Sequence, residues 1–177
     1  MLAYLQGLSL GLAYVAPIGV QNLFVINAGL SQPRAAAYRT ALIVIFFDVT
    51  LALAGFFGIG ALIEHSELIR KGVLLAGSLV VMYMGLRLML SREVAGPAIN
   101  VNIPLMKTIG MACVVTWFNP QAIIDVSLLL GSFRVALPPE ESGLFLWGVV
   151  CASCLWFLSL TTISSLFKNR FTPRLLR

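Results

Sequence analysis

Charged residues are scarce in this sequence. They make up 11% of its 177 residues, whereas a soluble domain carries roughly a quarter of its residues as charges. The polar stretches are too short to form a separately folded soluble domain, and hydrophobic residues reach 59%. The composition therefore predicts an all-α polytopic membrane protein, with a single transmembrane transporter domain over residues 1–177.

Motifs for several chemistries are missing as well. His65 is the one histidine, which excludes paired-histidine haem ligation and a His-rich metal site. No G-x-x-x-x-G-K-[ST] run is present for ATP, and no G-x-S-x-G is present for a hydrolase. We therefore expect neither an enzyme nor a bound cofactor or metal. Membrane topology and anionic lipid explain the net charge of +5 without a nucleic-acid partner.

Long apolar stretches dominate the sequence instead. Five predicted spans cover residues 3–28, 40–63, 72–90, 108–133 and 143–167. The connections between them are short and contain Pro and Gly where helices stop. Lys and Arg near the span ends are concentrated on one side of the membrane, which by the positive-inside rule places the N-terminus outside.

Two aspartates lie deep inside these apolar stretches. Asp48 stands in ALIVIFFDVTLALAG and Asp125 in WFNPQAIIDVSLLLG. An ionisable group near a bilayer centre costs about 2.5 to 3.5 kcal/mol on insertion scales, so such residues are interpreted first as functional. The structural alternative is that either acid pairs with a buried base such as Arg87, or caps a neighbouring helix.

Helix breakers interrupt two of the spans. Pro17 and Gly19 lie inside the first span, in VAPIGVQN, and Pro120 lies inside the fourth, in WFNPQAIID. A proline inside a helix deprives the carbonyl four residues earlier of its partner, here the carbonyls of Ala13 and Thr116. Irregular backbone at membrane depth is tolerated where it is buried in protein or lines a wet cavity. Each proline taken alone is equally consistent with a kink of purely structural role.

The two prolines also suggest an internal repeat, because Asn22 and Asp125 each lie five residues after the proline of their span. Interrupted spans at matching positions indicate a transporter binding site between two repeats. The sequence thus predicts a 3+3-like inverted repeat with helices 1 and 4 broken at proline and with the last helix missing.

These segments resemble the LysE-type amino-acid exporter family, and most closely its lysine and arginine exporting branch. The resemblance depends on PIGVQN, on FFDVTLALAG and on WFNPQAIID. It implies an exporter of basic amino acids in the bacterial inner membrane, driven by the proton gradient or the membrane potential. Family members usually have six helices, so we expect this chain to be a five-span variant or a shortened form. Val20 stands where they often have a second proline.

The family motif places the site at the aspartates and around the breaks. The residues implied to bind substrate or protons are Asp48, Asp125, Asn22, Gln21 and Asn119, and Pro17, Gly19 and Pro120 shape the backbone. A guanidinium or ammonium group in a low-dielectric cavity needs a negative charge opposite it. We therefore expect the two carboxyls to converge on one chamber that binds an amino acid and, in exchange, protons. Amides at the breaks, or Asn22 and Gln21, would meet the substrate carboxylate.

The cysteines suggest a different class of function. Cys151 and Cys154 form a C-x-x-C on one face of the fifth span, and membrane thiol carriers pass electrons through such pairs. The alternative prediction is therefore a membrane thiol/disulfide electron carrier. A buried cysteine otherwise behaves as a small apolar residue.

Two further patterns concern packing. We interpret the tyrosines and tryptophans as interface anchors and packing residues. Gly7 and Gly11 form a G-x-x-x-G, which lets helices approach closely and is one reason to expect a homo-oligomer.

Overall fold

The computed structural model describes residues 1–17, 19–58, 71, 82 and 104–168. The elements of this part of the chain are α1 (Leu2–Val15), α2 (Val20–Ser31), α3 (Arg34–Phe56), α4 (Leu105–Trp117), α5 (Pro120–Ala136), a 3-10 turn (Pro139–Glu141) and α6 (Ser142–Phe167). No strand occurs within these ranges. The prediction of an all-α polytopic membrane protein is confirmed.

Two segments are long and apolar enough to cross a membrane without interruption. They are Arg34–Phe56, with 23 residues, and Pro139–Phe167, with 29 residues. The described ranges contain up to four spans if each pair of helices joined by a break forms one span. The predicted span at 72–90 lies outside the described residues.

The breaks predicted in helices 1 and 4 are confirmed. The chain bends by 80° between α1 and α2, and by 60° between α4 and the segment Ala122–Gly131. Gly19 has an extended backbone, with φ −123° and ψ −176°, so α1 ends completely before α2 begins.

The second break differs in form from the expected mid-helix kink. Pro120 is the first residue of α5, a position where its missing N–H has no intrahelical acceptor to lose. The expectation that this proline frees the carbonyl of Thr116 is wrong, because that oxygen accepts a bond from the backbone N–H of Asn119 at 3.4 Å.

The connection between α2 and α3 is shorter than predicted. The predicted turn SQPRAAAYR is mostly helical, since α2 extends to Ser31 and α3 begins at Arg34 rather than at residue 40. Pro33 caps the start of α3, and the alanines that follow are strong helix formers. The helix propensity of these alanines therefore extends α3 beyond its apolar stretch.

Helix α6 packs against α1, α2 and α3. A Cβ atom added at Gly7 would overlap the carbonyl oxygen of Phe145, and one added at Gly11 would lie 2.6 Å from Cβ of Ala152. Glycine is thus required for the close approach of α1 to α6. The G-x-x-x-G pattern is used inside the chain, so it does not argue for an interface with a second copy.

The helix contacts repeat between the two halves of the described chain. The contact of α1 with α6 corresponds to the contact of α4 with α3. The contact of α2 with α6 likewise corresponds to that of α5 with α3, and the contact of α1 with α5 corresponds to that of α4 with α2. These three pairs of contacts match when α1, α2 and α3 are exchanged with α4, α5 and α6, whereas the packing of α2 against α3 has no counterpart of similar extent. The partial match agrees with two related halves, and their inverted orientation stays a prediction. The contacts of α1 with α5 and of α2 with α4 bring the two broken spans together.

Candidate functional site

Asp48 lies in α3 with 0% of its surface exposed. Three donors reach its carboxyl group: Tyr14 Oη donates to Oδ2 at 2.5 Å, Ser153 Oγ donates to Oδ2 at 2.6 Å, and Gln21 Nε2 donates to Oδ1 at 3.1 Å. These donors are two hydroxyls and an amide, from α1, α6 and α2. One carboxyl group therefore links four helices beside the first break.

The donors from α1 and α2 come from the two sides of the first break. Tyr14 is near the end of α1, and Gln21 is in the first turn of α2. In a continuous helix two residues seven apart are separated by about 10.5 Å along the axis, at 1.5 Å per residue. Here the chain bends by 80° between them, and both side chains donate to Asp48.

Asn22 bridges the unwound backbone of the first break. Its Nδ2 donates to the carbonyl oxygens of Val15 at 3.0 Å and Pro17 at 2.7 Å, and its Oδ1 accepts a bond from Trp156 Nε1 at 3.0 Å. The side chain is 4% exposed, and both of its amide hydrogens are used within the protein. In this conformation Asn22 satisfies the carbonyls that the break exposes, which such backbone needs at membrane depth.

The two breaks lie against each other. A Cβ atom added at Gly19 would lie 3.9 Å from Asn119 Nδ2, so the first break is close to the second. Thr116, in the last turn of α4, is completely buried. Its hydroxyl has no hydrogen-bond partner among the described residues. A buried polar atom that can still accept or donate therefore lies close to the second break.

Asp125 lies on α5 and is partly buried. The next residue, Val126, packs against α3, with its Cγ1 2.7 Å from a Cβ atom added at Gly55. Asp125 has an interaction of its own within the protein, but the donors that surround Asp48 come from α1, α2 and α6. The structure thus brings Gln21 to Asp48, and the convergence of Asp48 with Asp125 stays a prediction.

Tyr14 and Ser153 are the site residues that the sequence analysis missed. Tyr14 is 7% exposed and bonded to Asp48, so it is not an interface anchor. Ser153 stands between the two cysteines that drew attention to this segment. A hydroxyl group within an apolar span could have indicated both residues, because a buried hydroxyl needs a hydrogen-bond partner.

The described cysteines are free thiols. Cys113, Cys151 and Cys154 are each partly buried. Cys154 packs against the hydrophobic core, as a small apolar residue does. The electron-carrier alternative stays a prediction.

The comparisons with known proteins agree with one another. The model of the LysE type translocator family matches residues 12–177. The arginine exporter protein ArgO of Serratia proteamaculans (strain 568) is 32% identical over 166 residues, which are 92% of this chain and 80% of that protein. The protein of the same name from Pectobacterium atrosepticum is 31% identical over 179 residues, 98% of this chain and 87% of that protein.

A third relative is the arginine exporter protein ArgO of Escherichia coli (strain K12). It is 32% identical over 177 residues, which are 94% of this chain and 80% of that protein. No solved protein structure matches this chain.

Proposed function

This chain belongs to the LysE type translocator family, and on that premise we propose that it is an inner-membrane exporter of basic amino acids. Arginine is the first substrate to test, because relatives that are 31% and 32% identical over most of the chain are named arginine exporters. We propose secondary transport, driven by a proton gradient or the membrane potential. One transmembrane domain would perform it without catalysis.

The observation that carries this proposal is the environment of Asp48. Its carboxyl group is completely buried and is held by hydroxyl and amide donors. A carboxylate at membrane depth is costly and marks a substrate or proton path. A guanidinium group placed 4 Å away would gain about 4 kcal/mol at an effective dielectric constant of about 20. Asp48 is therefore proposed to receive the cationic end of the substrate.

The two breaks are proposed to receive the substrate carboxylate. Helix α2 begins at the first break and α5 begins at the second, and helix N-termini carry a partial positive charge that attracts carboxylates. The Thr116 hydroxyl and the Asn119 amide lie close to the same place. Asp125 is proposed as the second acidic group, which with Asp48 permits exchange of substrate against protons.

The orientation and the assembly of the exporter are also proposals. The distribution of Lys and Arg places the N-terminus outside the cell. A homo-oligomer would have to form through surfaces other than Gly7 and Gly11, since both are buried against α6.

The experiment is export from proteoliposomes that contain only this protein. Arginine, lysine and leucine are compared under an imposed pH gradient, with D48N and D125N as variants. E140Q is the matched control, because Glu140 is an exposed acid on the 3-10 turn. Loss of a contact of about 4 kcal/mol would lower arginine export by about 700-fold, since each 1.4 kcal/mol is tenfold.

Two outcomes would contradict the proposal. Arginine export at the wild-type rate by both D48N and D125N would show that neither carboxyl group binds the cation. Equal export of leucine and arginine would show that the substrate side chain needs no charge.

A further inference from the structure

Ser153 has one hydroxyl hydrogen and two acceptors within reach. Its Oγ lies 2.6 Å from Asp48 Oδ2 and 3.3 Å from the carbonyl oxygen of Val149, one turn earlier on α6. A hydroxyl donates one hydrogen bond at a time, and its oxygen can accept another. Two arrangements of hydrogens therefore fit the same positions of the heavier atoms.

The first arrangement suits an ionised Asp48. Tyr14 and Ser153 both donate to Oδ2, and Gln21 donates to Oδ1. Hydrogen bonds donated to a carboxylate stabilise its charged form. The charge is thus met by three donors although the group is completely buried.

The second arrangement suits a protonated Asp48. A proton on Oδ2 is donated to Ser153 Oγ, and the Ser153 hydrogen turns to the carbonyl oxygen of Val149. Tyr14 still donates to Oδ2 and Gln21 still donates to Oδ1. One proton is gained from solution, no covalent bond of the protein breaks, and every polar atom of the group keeps a partner.

We propose that Ser153 is a positioning residue whose hydroxyl rotates between Asp48 and Val149, so that the closed site holds Asp48 in either protonation state. The inference rests on the proposed function in one respect: the protonated state would be the form in which the empty exporter returns. It adds to that function because it gives Ser153, a neutral residue, a role in stabilising both protonation states of Asp48. Ser153 is completely buried, and its hydroxyl also lies close to that of Tyr14. The carboxyl group of Asp48 and the carbonyl of Val149 provide the acceptors between which the Ser153 hydroxyl rotates.

Other ionisable groups near Asp48 have to stay unchanged in the test. Tyr14 on α1 bonds to Asp48 directly, and Cys154 on α6 interacts with it electrostatically. Helix α2 carries no ionisable side chain, whereas α4 carries Lys107 and Cys113, and α5 carries Asp125 and Arg134. The variants chosen below leave Cys113, Asp125 and Cys154 in place.

The test is infrared difference spectroscopy of the full-length protein during a pH titration in lipid. Protonation of Asp48 gives a carbonyl stretching band of a carboxylic acid, and D48N is expected to abolish it. S153A removes the acceptor of the acid proton, so the band is expected to shift to higher wavenumber. S9A is the matched control, because the Ser9 hydroxyl bonds only to backbone carbonyls on the exposed side of α1 among the described residues.

A second variant keeps the test decisive. S153C preserves the size of the side chain, and its sulfur is a weak acceptor, so it should give a smaller shift in the same direction.

The proposal is overturned if the wild-type protein shows no acid band, if D48N retains the band, or if both S153A and S153C leave it in place. These outcomes are independent of export. If D48N exported arginine normally while the band behaved as expected, the proposed substrate role of Asp48 would fail and the rotation of Ser153 would stand.

Discussion

At the first break the position five residues after the proline is Asn22, whereas at the second break it is Asp125. Asn22 uses both amide hydrogens to bridge the carbonyls of Val15 and Pro17. An ionised aspartate only accepts hydrogen bonds and cannot make this bridge. The first break is therefore fixed by a side chain of its own, whereas the second has a carboxyl group at the matching position.

The same contrast appears ten residues before each proline, where both halves have glycine. Gly7 is buried, and α6 leaves no room for a Cβ atom there. Gly110 is exposed, and a Cβ atom added to it would meet no described residue within 4 Å. Within the described residues α1 is thus held more tightly than α4.

The largest effect is expected when the asparagine at the first break is replaced by the aspartate found at the matching position of the second. N22D keeps the shape of the side chain but removes both bonds to the backbone. Each buried group left without a partner costs about 1 to 3 kcal/mol, so the free energy of unfolding in detergent should fall by several kcal/mol. N27D is the control, because Asn27 lies exposed on the same helix. Equal stability of N22D and N27D would contradict the bridging role.

The next largest effect is expected from alanine at the paired glycines. G7A places a methyl group on the Phe145 carbonyl, and overpacking of this kind costs about 1 to 3 kcal/mol. A methyl group at position 110 would meet no neighbour in the described part of the chain, so G110A should raise stability by up to about 1 kcal/mol, since alanine favours a helix more than glycine does. Thermal unfolding of the two variants should therefore shift in opposite directions. Shifts in the same direction would contradict the difference in packing between Gly7 and Gly110.

A smaller effect is expected at Lys168, which follows α6 and donates hydrogen bonds to carbonyl oxygens at the C-terminal end of α2. Lys168 Nζ donates to the carbonyl oxygen of Gln32 at 2.7 Å and lies 3.4 Å from that of Ser31. K168M should lower stability by about 0.3 to 1 kcal/mol, the usual value for a cation at a helix C-terminus. K107M is the control, because Lys107 is exposed in the first turn of α4, where a cation gains nothing. Differential scanning fluorimetry at low and high salt would compare them, and an equal loss in both would contradict the cap.

The smallest effect is expected from the cysteine pair. The double variant C151A/C154A should export arginine like the wild type, because the proposed site does not use these thiols. Export in the proteoliposome assay measures this, and thiol alkylation before and after reductant measures redox change. Loss of export with normal stability, together with redox-dependent alkylation, would favour the electron carrier instead.

Much of the fold could be predicted from the sequence because its signals are local. Pro17 and Gly19 marked the first break, and the apolar stretches marked the helices to within a few residues. The start of α3 was placed too late because hydropathy ignores the helix propensity of the alanines after Pro33. Gly7 and Gly11 marked a close helix approach correctly, but a local pattern could not show that the partner is α6 of the same chain.

The apolar stretches and the prolines were enough to predict that the chain crosses a membrane as helices, that two of these helices break near Pro17 and Pro120, and that Asp48 lies where an ionisable group is costly. Those properties depend on local transfer energies and backbone geometry. The hydrogen bonds of Tyr14, Gln21 and Ser153 to Asp48, and the bridge that Asn22 makes at the first break, became visible in the packed helices alone. Hydrogen bonds between residues far apart in sequence depend on how helices pack, and no local pattern encodes them.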